Sequence, residues 1–243
     1  MDLSAFPPVG ALLSPFTPAP RWQPGRVGAR HSEVFASAEE ASGAAAALAL
    51  WVDGRRAAEG AALEERPWLW VQDAAALRRS GRPYRPGLPA ALRRGLIHVA
   101  ARKAEDALFA LEEGVRCRDL AGVIGEIAGN PRALDFTASR RLSLAAERHG
   151  VPLFLVRLDA ARDLSSARMR WQVRAAMSPP ARWNPQAPGA PAWHAELFRA
   201  RGHVPGEWIL TDDEHGLDAS QHPGAPDHGD LAAAAGDRSL AAR

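Results

Sequence analysis

The stretch Ser37-Ala38-Glu39-Glu40-Ala41-Ser42-Gly43-Ala44-Ala45 follows the apolar run SEVFA (32–36) and opens an Ala-rich segment. In an α/β chain the first strand-to-helix turn is where a nucleotide phosphate would sit, held by a loop of the form G-x-x-x-x-G-K-[ST]. Glycines let the backbone approach the phosphate, the Lys supplies charge and the hydroxyl holds magnesium. Only Gly43 fits this pattern. Ala44 stands in the Lys position and Ala45 in the hydroxyl position. What replaces the loop reads as a capping box, with Ser37 as N-cap and Glu40 at the third helical position. Such a box satisfies the amides that would otherwise face an anion, and Glu39 and Glu40 would repel a triphosphate. The expectation is a degenerate nucleotide loop and no cofactor.

Other residues with chemical potential are sparser. Where a magnesium-orienting Asp would end a fourth strand, LAGVIGEI (120–127) offers Gly125 and then Glu126. Glu126 could hold a metal through water or be a solvated strand-end residue, and the second is the expectation. Gln72 and Asp73 hold the place of a general base after WLWVQ (68–72), but with no phosphate cradle beside them they read as polar loop residues. Cys117 has no identifiable His or Asn as its base and reads as a small core residue. His215, His222 and His228, with Asp218, Asp227 and Asp230, match no ligand spacing, so no metal site is expected. No catalytic residue is assigned, and the chain reads as non-enzymatic.

These side chains need a scaffold, and 243 residues with 47% hydrophobic content can build one. No apolar run approaches the roughly 20 residues of a membrane-spanning helix. With one cysteine and no secretory pattern, the expected compartment is a reducing cytoplasm. All of the 30 basic residues but Lys103 are Arg, and net charge is only +2. Their distribution is uneven: Arg132 to Arg182 is strongly basic and the segment beyond Arg199 acidic, so a polyanion would meet one face only.

Residues 1–30, with Pro7, Pro8, Pro15 and Pro18, read as an extended arm, 31–213 as one folded domain, and 214–243 as a disordered tail. Within the domain, SEVFA, WLWVQ, LIHVA (96–100), LAGVIGEI and VPLFLVR (151–157) read as strands covered on both faces. Helical patterns over 38–53, 103–115 and 137–149 separate them, the last stopping at Gly150. Alternating strands and helices predict an α/β fold with a parallel sheet. MRWQVRA (169–175), AWHAELFRA (192–200) and GEWILTD (206–212) alternate polar and apolar residues and read as antiparallel strands closing one edge.

Taken in order, these segments resemble the inducible mutagenesis protein A (ImuA) family, RecA-like proteins of bacterial damage-induced mutagenesis. The resemblance runs from about His31 to Asp213. It rests on HSEVF, on WLWVQD followed by GRPYRPGL (81–88), and on NPRALDFTASRRLSLAAERHGVP (130–152). SSARMRWQVR (165–174) and APGAPAWHAELFRARG (187–202) complete it. It implies a RecA-like core that kept the sheet and lost the ATP chemistry. It also implies a non-enzymatic accessory of an SOS-induced, error-prone translesion synthesis assembly. The implied partners are a degenerate Y-family polymerase relative (ImuB) and, directly or indirectly, an error-prone replicative-type polymerase; single-stranded DNA and RecA are further candidates.

In a RecA-like core, DNA-contacting loops follow the fourth and fifth strands. Here those places hold Arg132, Arg140 and Arg141, then Arg157, Arg162, Arg168, Arg170 and Trp171. Arg pairs with phosphate oxygens and a neighbouring aromatic stacks on an unpaired base. Trp171, lying in strand pattern with Met169 and Val173, also reads as core, as do Trp68 and Trp70. Trp183, among Pro-rich turns, and Trp22, in the arm with Phe6 and Phe16, are the candidate partner anchors. Two alternatives stand beside the scaffold: a residual ATPase that remodels recombinase filaments, and a division inhibitor resembling SulA.

Overall fold

A computed structural model of the chain describes residues 30–59, 66–181, 183–201, 204–213 and 216–221. The Pro-rich arm, with Trp22, Phe6 and Phe16, and the segment from 222 onward, with His222 and His228, lie outside the described residues, as does His215.

Nine strands form one sheet in the order β3-β2-β4-β5-β1-β6-β7-β8-β9. They are β1 (His31–Ala36), β2 (Trp68–Gln72), β3 (Leu96–Ala100), β4 (Val123–Ala128), β5 (Leu153–Leu158), β6 (Met169–Ala175), β7 (Ala192–Ala200), β8 (Gly206–Asp213) and β9 (Gly216–Gln221). The helices are α1 (Ser42–Glu59), α2 (Ala74–Ser80), α3 (Ala90–Arg93), α4 (Ala104–Arg116) and α5 (Phe136–His149), with a 3-10 turn at Arg85–Gly87. The expected α/β architecture, a mostly parallel sheet flanked by helices, is what the chain forms.

Two hydrophobic layers cover the sheet. On one face, α1 packs Ala46, Ala47, Leu50 and Trp51 against Val34, Trp68, Trp70, Ile124, Val156 and Trp171, and α2 and α3 extend that layer toward β3. On the other, α4 and α5 set Leu108, Leu111, Val115, Leu142 and Ala146 against Leu69, Val71, Ile127, Leu153 and Leu155. Strands buried on both sides need apolar residues at successive positions, which is why β2, β4 and β5 read as continuous runs. The helices end as their residues dictate. Asp135 Oδ1 accepts the Ala138 amide at 2.7 Å to start α5, and Gly150, at φ +75°, stops it.

Several expectations need correction. The Ala-rich helix begins at Ser42 rather than 38 and passes through Gly54 to Glu59. One glycine costs about 1 kcal/mol in a helix, too little to end one that is packed along its length. β6 runs parallel to β1, pairing Ser32 with Met169 and Val34 with Trp171; only β7, β8 and β9 add antiparallel. Beyond Glu214, where composition suggested the start of a disordered tail, Gly216–Gln221 forms β9 and pairs Leu217 with Asp212 and Ala219 with Leu210. The short helices between Ala74 and Arg93 carried no periodic signal because they are too brief to show one. Among the described residues no helix is long and apolar enough to cross a membrane.

Candidate functional site

β1 to β6 are mutually parallel, so their carboxyl ends meet along one rim, the place where α/β sheets bind ligands. The turn 37–41 between β1 and α1 lies on this rim and is closed by the protein's own side chains. Asp159, which follows β5 and adopts φ +50°, accepts the Ala38 amide on Oδ1 at 2.9 Å and pairs with Arg79 of α2. The Glu39 amide donates to Ser37 Oγ at 3.2 Å and the Glu40 amide to the Ser37 carbonyl at 3.4 Å.

The capping box does not form. Instead of turning back to the Ser37 amide, Glu40 reaches across to β6, where Oε2 accepts the Ala175 amide at 2.6 Å; it also accepts the Ser42 hydroxyl at 2.7 Å. The Ser42 hydrogen bond first, then the Ala175 amide, holds this carboxyl below the usual range. Gly43 serves packing. A Cβ there would lie 2.8 Å from Ala36 Cβ and 2.9 Å from Val156 Cγ1, so its absence lets α1 rest on β1 and β5. Ala44 and Ala45 pack against the same core.

Farther along the rim, Glu126 is buried rather than solvated. Its carboxyl accepts Trp70 Nε1–H at 2.7 Å and the Ser80 hydroxyl at 2.8 Å, and burial pushes its pKa up against those bonds. Gln72, also buried, donates from Nε2 to Ser80 Oγ at 3.2 Å and to the Gly81 carbonyl at 2.9 Å, while its Oε1 meets His98 Nε2 at 2.8 Å. Burial, reinforced by the Arg82 charge, keeps the His98 imidazole below its ordinary pKa. Asp73 is the N-cap of α2, taking the Ala76 amide at 2.6 Å. Glu126, Gln72 and Asp73 are thus each bonded to the protein's own groups.

Sequence reasoning missed a buried ionic cluster on the α5 side of β1. Glu33 Oε2 binds Arg170 Nε at 2.7 Å, and Glu33 Oε1 accepts the Ser165 hydroxyl at 2.8 Å, with Arg157 Nη1 3.8 Å away. Both guanidinium groups lie over Phe35, 5.5 Å (Arg157) and 5.1 Å (Arg170) from its ring centroid, and Phe35 meets Phe198 edge-on at 5.7 Å. The signal was Glu33 itself, the lone carboxylate of β1.

The cluster redraws the list of DNA candidates. Arg157 and Arg170 are buried in it, and Trp171 packs edge-on against Trp208 in the core; none presents a face to solvent. Their strands carry them inward because alternate residues of a covered sheet all point into a packed layer. Arg162 pairs with Glu196 at 2.5 Å and lies 3.9 Å from the Phe198 ring centroid, and Arg168 pairs with Glu147 at 2.5 Å. Arg141 lies 3.4 Å from Glu112 of α4. Arg132 and Arg140 are exposed and pair with no described acid. Arg141, Arg157, Arg162 and Arg170 thus meet acids from outside this region, and Arg168 meets Glu147 within it. Trp183 is 88% exposed in the β6–β7 connection, as an anchor would be, and Cys117 is exposed rather than core.

Fold and rim together define a mixed α/β protein whose strand-end turn is occupied by its own carboxylates. No protein-family model matches the chain. Protein ImuA of Caulobacter vibrioides, in each of two strains, is 35% identical over 140 residues, a match covering 54% of this chain and 54% of the relative. Over that stretch the chain is similar to these proteins. It spans about half the length of the curated relatives it matches.

Proposed function

We propose that this chain is a non-enzymatic, RecA-like accessory of damage-inducible, error-prone translesion DNA synthesis. It acts through its surfaces as a scaffold for an ImuB-type Y-family polymerase relative. An error-prone replicative-type polymerase joins through that partner or directly, and single-stranded DNA is a further ligand. The kinship with Protein ImuA supports the process.

One observation carries the non-enzymatic reading. The turn after β1 spends the Ala38 amide on Asp159 and sets the Glu40 carboxylate where a phosphate would need positive groups. A charged side chain already seated there opposes a nucleotide, and Ala44 and Ala45 supply neither cation nor metal ligand. Trp183, exposed between Pro-rich turns, supports an anchor for a protein partner.

Co-purification of the full chain with the polymerase relative, repeated with Trp183→Ala, tests this. A complex that forms with the intact chain and weakens with Trp183→Ala is expected. No complex with the intact chain overturns the scaffold, and turnover of ATP in the presence of single-stranded DNA overturns the non-enzymatic reading.

A further inference from the structure

Between Ala74 and Ala104 the chain carries eight cationic side chains and no carboxylate. The segment begins with α2, passes through Arg82-Pro83-Tyr84-Arg85-Pro86-Gly87, and returns through β3, the edge strand of the sheet. Two fastenings lay it along that edge. Gln72 Nε2 holds the Gly81 carbonyl at 2.9 Å beside the carboxyl end of β2, and Arg85 Nη2 holds the Leu96 carbonyl at 2.6 Å at the start of β3.

We infer that this edge is a contact surface for single-stranded DNA, with Tyr84 as the stacking platform and Arg78, Arg82, Arg102 and Lys103 as phosphate partners. All four cations are exposed, and none pairs with a described acid. Among the described acids around this edge, Asp73 caps α2, Asp159 pairs with Arg79, and Glu126 is hydrogen-bonded inside. Glu105 and Asp106 are exposed only beyond Lys103, in the first turn of α4.

Tyr84 decides the kind of polyanion. It is the one tyrosine of the chain and is 73% exposed. Its ring lies against Gly87, where a Cβ would fall 3.0 Å from Tyr84 Cδ1, so a side chain at 87 would displace it. Pro83 and Pro86 fix φ on both sides, limiting the entropy lost when the segment is bound. A presented aromatic ring between two Arg residues suits an unpaired base over a phosphate; a duplex hides its base faces, and an acidic peptide offers no ring to stack.

The assignment deepens the nucleic-acid part of the proposed function without depending on its polymerase partner. Anisotropy of a labelled oligo-dT of about 20 nucleotides, with the full chain and salt raised from about 50 to 200 mM, reads the surface directly. The intact chain binds, and affinity falls steeply with salt. Arg78→Gln with Arg82→Gln and Arg102→Gln lowers the log–log salt slope by about 2, at roughly 0.7 per lost contact. Tyr84→Ala weakens binding roughly tenfold or more with the slope unchanged, and Tyr84→Phe restores it. Circular dichroism confirms that each variant folds.

No binding at the lowest salt overturns the inference, as does a triple variant with an unaltered slope. Equal competition by oligo-glutamate reassigns the edge to an acidic protein and overturns it too. The same variants are scored for complex formation with the polymerase relative. Lost DNA binding with the complex retained supports the surface, whereas a missing complex with DNA binding intact counts against the scaffold alone.

Discussion

Arg170 Nε lies 2.7 Å from Glu33 Oε2 on neighbouring parallel strands, both side chains buried. The β5–β6 connection passes over the pair. It starts at the carboxyl end of β5, returns across β1, brings Ser165 onto Glu33, and ends where the Arg168 amide meets the His31 carbonyl at 2.9 Å. The pair therefore fastens β1, β6 and the connection together.

Arg170→Ala is expected to destabilise the fold by about 3–5 kcal/mol, because it leaves Glu33 charged, buried and short of its closest partner. Replacing both residues, as Glu33→Gln with Arg170→Met, costs less than the sum of the single changes. Urea midpoints of the two single variants and the double variant measure this coupling, and strict additivity would refute it. Any loss of DNA affinity in Arg170→Ala is to be read only at a denaturant-verified native fraction.

Gly43→Ala is expected to cost about 1–3 kcal/mol, since the new methyl meets Ala36 and Val156 inside contact distance. Restoring the missing groups does not restore nucleotide binding. A chain carrying Ala44→Lys and Ala45→Thr shows no ATP-dependent rise in melting temperature with magnesium, because Asp159 and Glu40 still occupy the turn. A clear thermal shift in that variant would show that only the cation and hydroxyl were lacking.

His31 gives a pH dependence. Its Nδ1 meets Ser143 Oγ at 2.7 Å and its Nε2 is buried with no partner among the described residues. Burial lowers its pKa from 6.5 to about 4; Glu33 and Glu147 oppose this and Arg170 and Arg168 assist it. Between those values the unfolded chain holds a proton that the folded chain does not. The contribution is therefore complete above pH 6.5 and fades as pH falls toward 4, by about 3 kcal/mol in all. His31→Gln should flatten the stability profile across that window relative to the parent, and parallel profiles would exclude the assignment.

The fold was legible where burial imposes pattern. WLWVQ, LIHVA, MRWQVRA and AWHAELFRA begin and end as strands where their apolar spacing says, and Gly150 stops its helix. Strand direction was not legible for β6, because alternation reads the same whichever way a neighbour runs; only the ten-residue connection over β1 makes it parallel. At the rim, Ala44 and Ala45 are plain in the sequence, but the bond from Glu40 to Ala175 joins residues 135 apart and no local pattern announces it. Arg170 looked like a surface cation for the same reason: its carboxylate sits 137 residues earlier. The acid-free run from Ala74 to Ala104 is plain in the sequence, but that its cations stay exposed along the β3 edge is not.

β1, earliest in chain order of the described strands, takes the middle of the sheet, and the two strands that zip onto it begin only at Leu153 and Met169. Until translation passes Ala175, HSEVFA carries open hydrogen-bonding groups on its β6 edge and a carboxylate without its closest counter-ion. Such late, long-range closure makes for slow maturation, and nascent or prematurely terminated chains become natural clients for chaperones and proteases.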